Sequence, residues 1–157
     1  NEIFFDIWTA LSKYFSNLEI LKSQSYILNL CHEYFHNEDK FISTLINMIK
    51  NNLDYAHPRI QLLPFLGNKS RFKPILNKIL SYFRDYNSPS SKCIQRKFNK
   101  REATHILGVS FAAFHKRLKA GILYHDQLSV SDRTNFPASI LEEWLINEKK
   151  NSILFRS

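Results

Sequence analysis

The chain has 157 residues, 44% hydrophobic and 23% charged, a globular balance that sets disorder aside and leaves room for one ordinary domain or two small ones. Its formal charge is +8 and it holds only 3 Gly, which argues against glycine-rich phosphate loops and long β-meanders and favours a polyanionic partner. Two cysteines, Cys31 and Cys93, exclude a disulfide scaffold or a four-cysteine zinc site within this chain and suit a reducing, cytoplasmic compartment.

The N-terminus carries Glu2 and Asp6 and no basic start, so no signal peptide is visible, and no apolar run approaches the roughly 20 residues of a membrane span. Without an initiator Met, the chain is expected to be a piece of something longer. Residues 3–15 place Ile3, Phe4, Ile7, Trp8, Leu11 and Phe15 on one helical stripe. Ser23 is positioned to cap a second helix through Tyr26, Ile27, Leu30, Tyr34 and Phe35. Asn37 precedes a third, with Glu38 and Asp39 in its first turn and Lys50 in its last, the polarity that suits a helix dipole. Pro58 and Pro64 predict loop with a short turn. Phe72, Ile75, Leu76, Ile79, Leu80 and Phe83 then recur at helical spacing, with Pro74 in the first turn. Residues 1–86 are thus expected to form a bundle of about four helices, and the polar Ser- and Pro-containing stretch over 87–97 a linker. Exposed aromatics on the bundle leave room for a homodimer face.

Within the second helix, Cys31-His32-Glu33-Tyr34-Phe35-His36 contains His-Glu-x-x-His, the pattern of zinc peptidases. His32 and His36 share a helix face, and Glu33 would polarise a bound water. A third ligand is missing, since Asp54 and His57 lie on no recognisable ligand-bearing helix, and no strand precedes the motif to hold extended substrate. We read it as a chance match, with no metal or other cofactor.

Charge is concentrated further on. From Lys69 to Lys119, 13 cations stand against Asp85 and Glu102, a local +11, while the remaining residues sum to −3. Residues 98–121 overlap the end of this region. Asn99 and Glu102 have capping-box spacing. Ala103, Ile106 and Leu107 give a short helix its buried face, and Gly108 ends it in the left-handed region. Val109 plugs the turn, and Ser110 caps a second helix that Phe114 and Leu118 turn inward and Gly121 closes. This is helix-turn-helix spacing. Leu123–Val130 is expected as a short β-hairpin or wing, followed by Phe136-Pro137 and a helix bearing Ile140, Leu141, Trp144 and Leu145.

The order resembles the winged helix-turn-helix of excisionase and MerR-type DNA-binding domains, through Glu102, Ala103, Leu107, Gly108, Val109, Ser110, Phe114, Leu118, Gly121 and Leu123, then Phe136, Pro137, Leu141, Glu142, Trp144 and Leu145. Thr104 departs from the pattern's second Ala, and Ala113-Phe114 from its Thr-Val. The expected fold is mainly α: an N-terminal helical bundle, then a winged helix-turn-helix over 98–150 with a short β-hairpin. In such a domain the second helix lies in the major groove. Its outward residues here are Ala112, His115, Lys116 and Lys119, with Lys100 and Arg101 at the start of the first helix, Arg117 toward the backbone and Arg133 at a minor groove. Phe111 shares the Phe114–Leu118 side and is expected to pack.

A looser resemblance covers more of the chain. A helical region, the basic helix "RFKPILNKILSYF", and a helix pair opening Glu102-Ala103-Thr104 resemble the C-terminal part of TniQ/TnsD proteins, which select targets for transposition. The segment "YFHNEDKFISTL" is similar to their helix starts, with Trp-Pro replaced. That resemblance implies binding of double-stranded attachment-site DNA or a guide-RNA complex, and an AAA+ transposition regulator as partner. The family's cysteine-rich zinc region is absent here. With no serine nucleophile elbow, and only Asp126 and Asp132 flanking the wing, an enzyme is not expected. A regulator of transcription or recombination, or an adaptor whose helix pair only packs, are the alternatives.

Overall fold

The structure, a computed structural model, describes residues 2–67, 69–123 and 128–156, with the side chains of 66 and 149–156 left aside. It is mainly helical: α1 (Glu2–Asn17), α2 (Gln24–His36), α3 (Glu38–Asn51), α4 (Pro58–Leu66), α5 (Lys73–Tyr82), α6 (Lys100–Leu107), α7 (Phe111–Lys119) and α8 (Ala138–Arg156). Two short strands, β1 (Lys97–Asn99) and β2 (Asn135–Pro137), pair antiparallel with Phe98 opposite Phe136.

The amphipathic stripes are buried or half-buried except at Ile3 of α1 and Phe35 of α2, which are exposed. Ile7, Leu11 and Phe15 of α1, Ile27 and Leu30 of α2, and Phe41, Leu45 and Ile49 of α3 are buried. The caps form as well. The Ser23 hydroxyl accepts from the Tyr26 amide at 3.1 Å, and the Asn37 side chain from that of Lys40 at 3.3 Å.

The region around Pro58 and Pro64, expected as loop, is the helix α4. Pro58 stands at its N-terminus, where a missing N–H costs nothing and the fixed φ favours the first turn. Pro64 lies inside it, where proline normally disfavours a helix. Enclosure outweighs that cost: Ile60, Leu62, Leu63 and Phe65 are all buried. Apolar side chains all round the helix erase the amphipathic period that would have signalled it. Gln61, 1% exposed, ties α4 to its neighbours. Its Oε1 accepts from the Tyr14 hydroxyl at 3.0 Å, and its amide is shared among the carbonyls of Ile49, Asn52 and Ala56 at 2.9–3.2 Å. Burial pushes the Tyr14 phenol well above its ordinary range, so it stays a neutral donor.

One core runs through both halves, from Ile7 to Trp144. The segment between them is tied down. The Ser90 hydroxyl donates to the Glu142 carboxylate at 2.6 Å and its amide donates to the other oxygen. The amides of Lys92 and Ile94 donate to the carbonyls of Asp54 and Tyr55 at 2.7 and 2.9 Å. The small sheet is made by residues before and after the helix pair. Of the stretch expected as a wing, residues 124–127 lie outside the described residues, and the described flanks contain no strand.

Candidate nucleic-acid interface

Local chemistry sets the ends of α6 and α7. The Asn99 side chain accepts from the Glu102 amide at 2.8 Å and the Glu102 carboxylate accepts from the Asn99 amide at 3.1 Å, so both halves of the capping box are made. Gly108 takes φ +71° and lets its amide reach back to Thr104 at 2.9 Å. The Ser110 hydroxyl accepts from Ala113 at 3.1 Å, and Gly121 closes the second helix at φ +73°.

Arg59 links this turn to the bundle. Its Nε donates to the Ile106 carbonyl at 2.6 Å, at the C-terminal end of α6, where carbonyls lack intrahelical partners and a cation meets the negative end of the helix dipole. Burial lowers its affinity for the proton below the usual arginine range. A Cβ at position 108 would lie 2.9 Å from Nη2 of this guanidinium, so a side chain there would displace the arginine tip as well as strain the φ.

Rotation of α7 is fixed by one ring. Phe114 is fully buried against Phe136 (centroids 5.3 Å apart, 87° between planes) and Trp144 (6.4 Å). At about 100° per residue, that anchor leaves Phe111, Ala112, His115, Lys116 and Lys119 on an outward arc of about 140°. All five are exposed. Phe111 was expected to pack; instead it is 51% exposed. It is the first residue of α7, one turn before Phe114, and stands beyond the edge of the aromatic cluster.

The nearby cations divide into two sets. Arg96 pairs with Glu102 at 3.2 Å, Lys97 with Asp132 at 2.9 Å, and Arg117 with Glu148. Lys97 also holds the Asp132 carboxyl below the usual range by hydrogen bonding. Glu148 is raised by burial, which outweighs the pull of Arg117. Arg117 is therefore half-buried and committed to α8, not free beside a backbone. Arg101, Lys116, Lys119 and Arg133 make no ion pair among the described residues. Lys100 turns across to α7: its ammonium lies 3.2 Å from His115 Nδ1, in contact with Nε2, and 5.9 Å from the Phe111 ring centre. Lys100, Phe111 and His115 are thus brought together. Arg133 sits on a 3₁₀ turn, Ser131–Arg133, which the Lys97–Asp132 pair holds against β1.

The His-Glu-x-x-His motif lies on the exposed side of α2, with the two imidazole centres 6.3 Å apart and Phe4 against His32 at 5.9 Å. Glu33 faces Lys40 at 3.4 Å. His57 is elsewhere, capping α4 through Nδ1. Among the described residues no three His, Cys, Asp or Glu side chains gather into a metal-binding group. Two clefts of about 690 and 550 Å³ among the described residues are lined by no residue of α7. No described helix is long and apolar enough to cross a membrane.

Comparison with protein-family models, curated proteins and solved structures returns no significant match.

Sequence reasoning missed Arg59, Gln61 and the exposure of Phe111. Only the last had a sequence signal: position N1 of a capped helix lies one turn outside the first core-facing residue.

Proposed function

We propose that the chain binds double-stranded DNA through α6 and α7, with α7 laid in the major groove, and that it does so without catalysis. The observation that carries this reading is the division of α7: Phe114 is buried, while Ala112, His115, Lys116 and Lys119 point outward and the two lysines have no carboxylate partner among the described residues. Lys116 and Lys119 reach phosphate or guanine, and Lys100 and Arg101 lie where the first helix of such a pair crosses the backbone. Arg133 is given the neighbouring minor groove. Arg117, held by Glu148, leaves the contact set. Resemblance to TniQ/TnsD proteins supports a narrower role, selection of a transposition target and recruitment of an AAA+ regulator, in the cytoplasm. The resemblance of residues within 102–145 to excisionase and MerR domains supports regulation of recombination or transcription as the alternative. Exposed α1 residues such as Phe5 offer a face for a homodimer.

The test is fluorescence anisotropy with a labelled duplex across a salt series. Affinity is expected to fall steeply with ionic strength. Lys116→Ala with Lys119→Ala should weaken binding to all sequences and flatten the log–log salt slope by about 2, with stability unchanged to within about 0.5 kcal/mol. Full binding by the double variant removes α7 from the groove; binding indifferent to salt removes the DNA reading itself.

A further inference from the structure

The first turn of α7 presents an apolar spot inside a cationic surface. The Phe111 ring is 51% exposed and the Ala112 methyl beside it is exposed. The Lys100 ammonium lies over the ring, 5.9 Å from its centre, and beside His115, and Lys116 and Lys119 follow along the same arc. A polyanion that also offers a small apolar group is the complement of such a surface. In duplex DNA that group is the 5-methyl of thymine, which lies in the major groove, where none of the other three standard bases carries one. Insertion of the ring between base pairs as a wedge belongs to the minor groove, and α7 is assigned to the major one.

We propose that Phe111, with the Ala112 methyl beside it, reads a thymine methyl, making the first turn of α7 the sequence-determining part of the interface. This rests on the DNA reading above. Phe111 and Ala112 recognise the base, and Lys100, Lys116 and Lys119 hold the phosphates around it. Cytosine lacks the methyl and places an amino donor where thymine has a carbonyl acceptor, so a T·A pair at this step is preferred.

The experiment uses the full chain and a duplex recovered by in-vitro selection with it, resynthesised with uracil replacing one thymine at a time. Uracil keeps every hydrogen-bonding group and removes only the methyl. At one position the replacement should weaken binding about three- to fivefold, the value of one buried methyl group. Phe111→Ala should bind the thymine and uracil duplexes alike, with its unfolding temperature near that of the wild type because the ring is half in solvent. Equal binding of both duplexes at every position overturns the inference, as does a thymine preference that survives in Phe111→Ala, or a selection that enriches no sequence. In each of these cases salt-dependent binding to duplex DNA still stands. Absence of any salt-dependent duplex binding removes the DNA reading and this inference with it. Should Phe111→Ala not fold, the wild-type comparison of thymine with uracil still decides.

Discussion

Helices α4 and α6 lie against each other, are nine and eight residues long, and exist for different reasons. Local chemistry writes α6: Asn99 and Glu102 start it, Ala103, Ile106 and Leu107 face inward, and Gly108 stops it. Enclosure makes α4: apolar all round, with a proline at its start and another inside, it is held by the core and by a buried amide that bonds three other segments. A short helix can therefore be stabilised by its own ends or by its surroundings. Only the first kind leaves a pattern along the chain.

Four perturbations separate the two mechanisms. The largest effect is expected at Gln61→Leu, which strips the acceptor from the buried Tyr14 hydroxyl and the donor from the carbonyls of Ile49 and Ala56. A loss of about 2–3 kcal/mol follows from leaving such groups unsatisfied, measured by urea unfolding. Trp8 in α1 and Trp144 in α8 report on the two halves; because one core joins them, both fluorescence signals should shift to the same midpoint. Separate midpoints would show the halves folding independently. Next is Gly108→Ala, which forces an alanine to φ +71° and toward Arg59; about 1–2 kcal/mol should be lost. Asn99→Ala removes one half of the capping box and should cost about 1 kcal/mol; a larger loss would mean that α6 is more self-supporting than its burial suggests. Smallest is a pH effect at His105. Burial, then Arg101 and Lys73, hold its pKa below 6.5, so the unfolded chain takes up a proton before the folded one does. Stability from this site is complete above pH 6.5 and declines as pH falls below it toward the depressed folded value. His105→Gln should flatten that decline in unfolding curves collected across the range.

The same contrast explains what was legible in advance. The α6–α7 pair was readable because each helix starts at a residue whose side chain accepts from a backbone amide three positions on, as Asn99 and Ser110 do, and ends near a glycine of positive φ. The stripes of α1, α2 and α3 were readable from period alone. Strand β1 was not, because three residues carry no usable alternation, and its partner lies 38 residues further on across the Phe98–Phe136 pair. Arg59 and Gln61 were not, because a polar side chain has no linear mark of a distant carbonyl. In the candidate interface, the outward cations of α7 followed from the inward Phe114. The diversion of Arg117 to Glu148 needed the third dimension, since α8 supplies the acid from 31 residues away.

The two strands also bear on how the molecule answers to force. Lys97 is opposite Pro137, so the chain enters and leaves the α6–α7 segment at the same end of the ladder, and the Ala138 amide bonds the Arg96 carbonyl just outside it. Tension along the backbone from both sides would load these bonds one after another, as a zipper is opened, instead of shearing them all together. Stretching would thus part the strands at low load, and because Phe136 of β2 is one of the rings packed on Phe114, it would reach the seat of α7 through that strand.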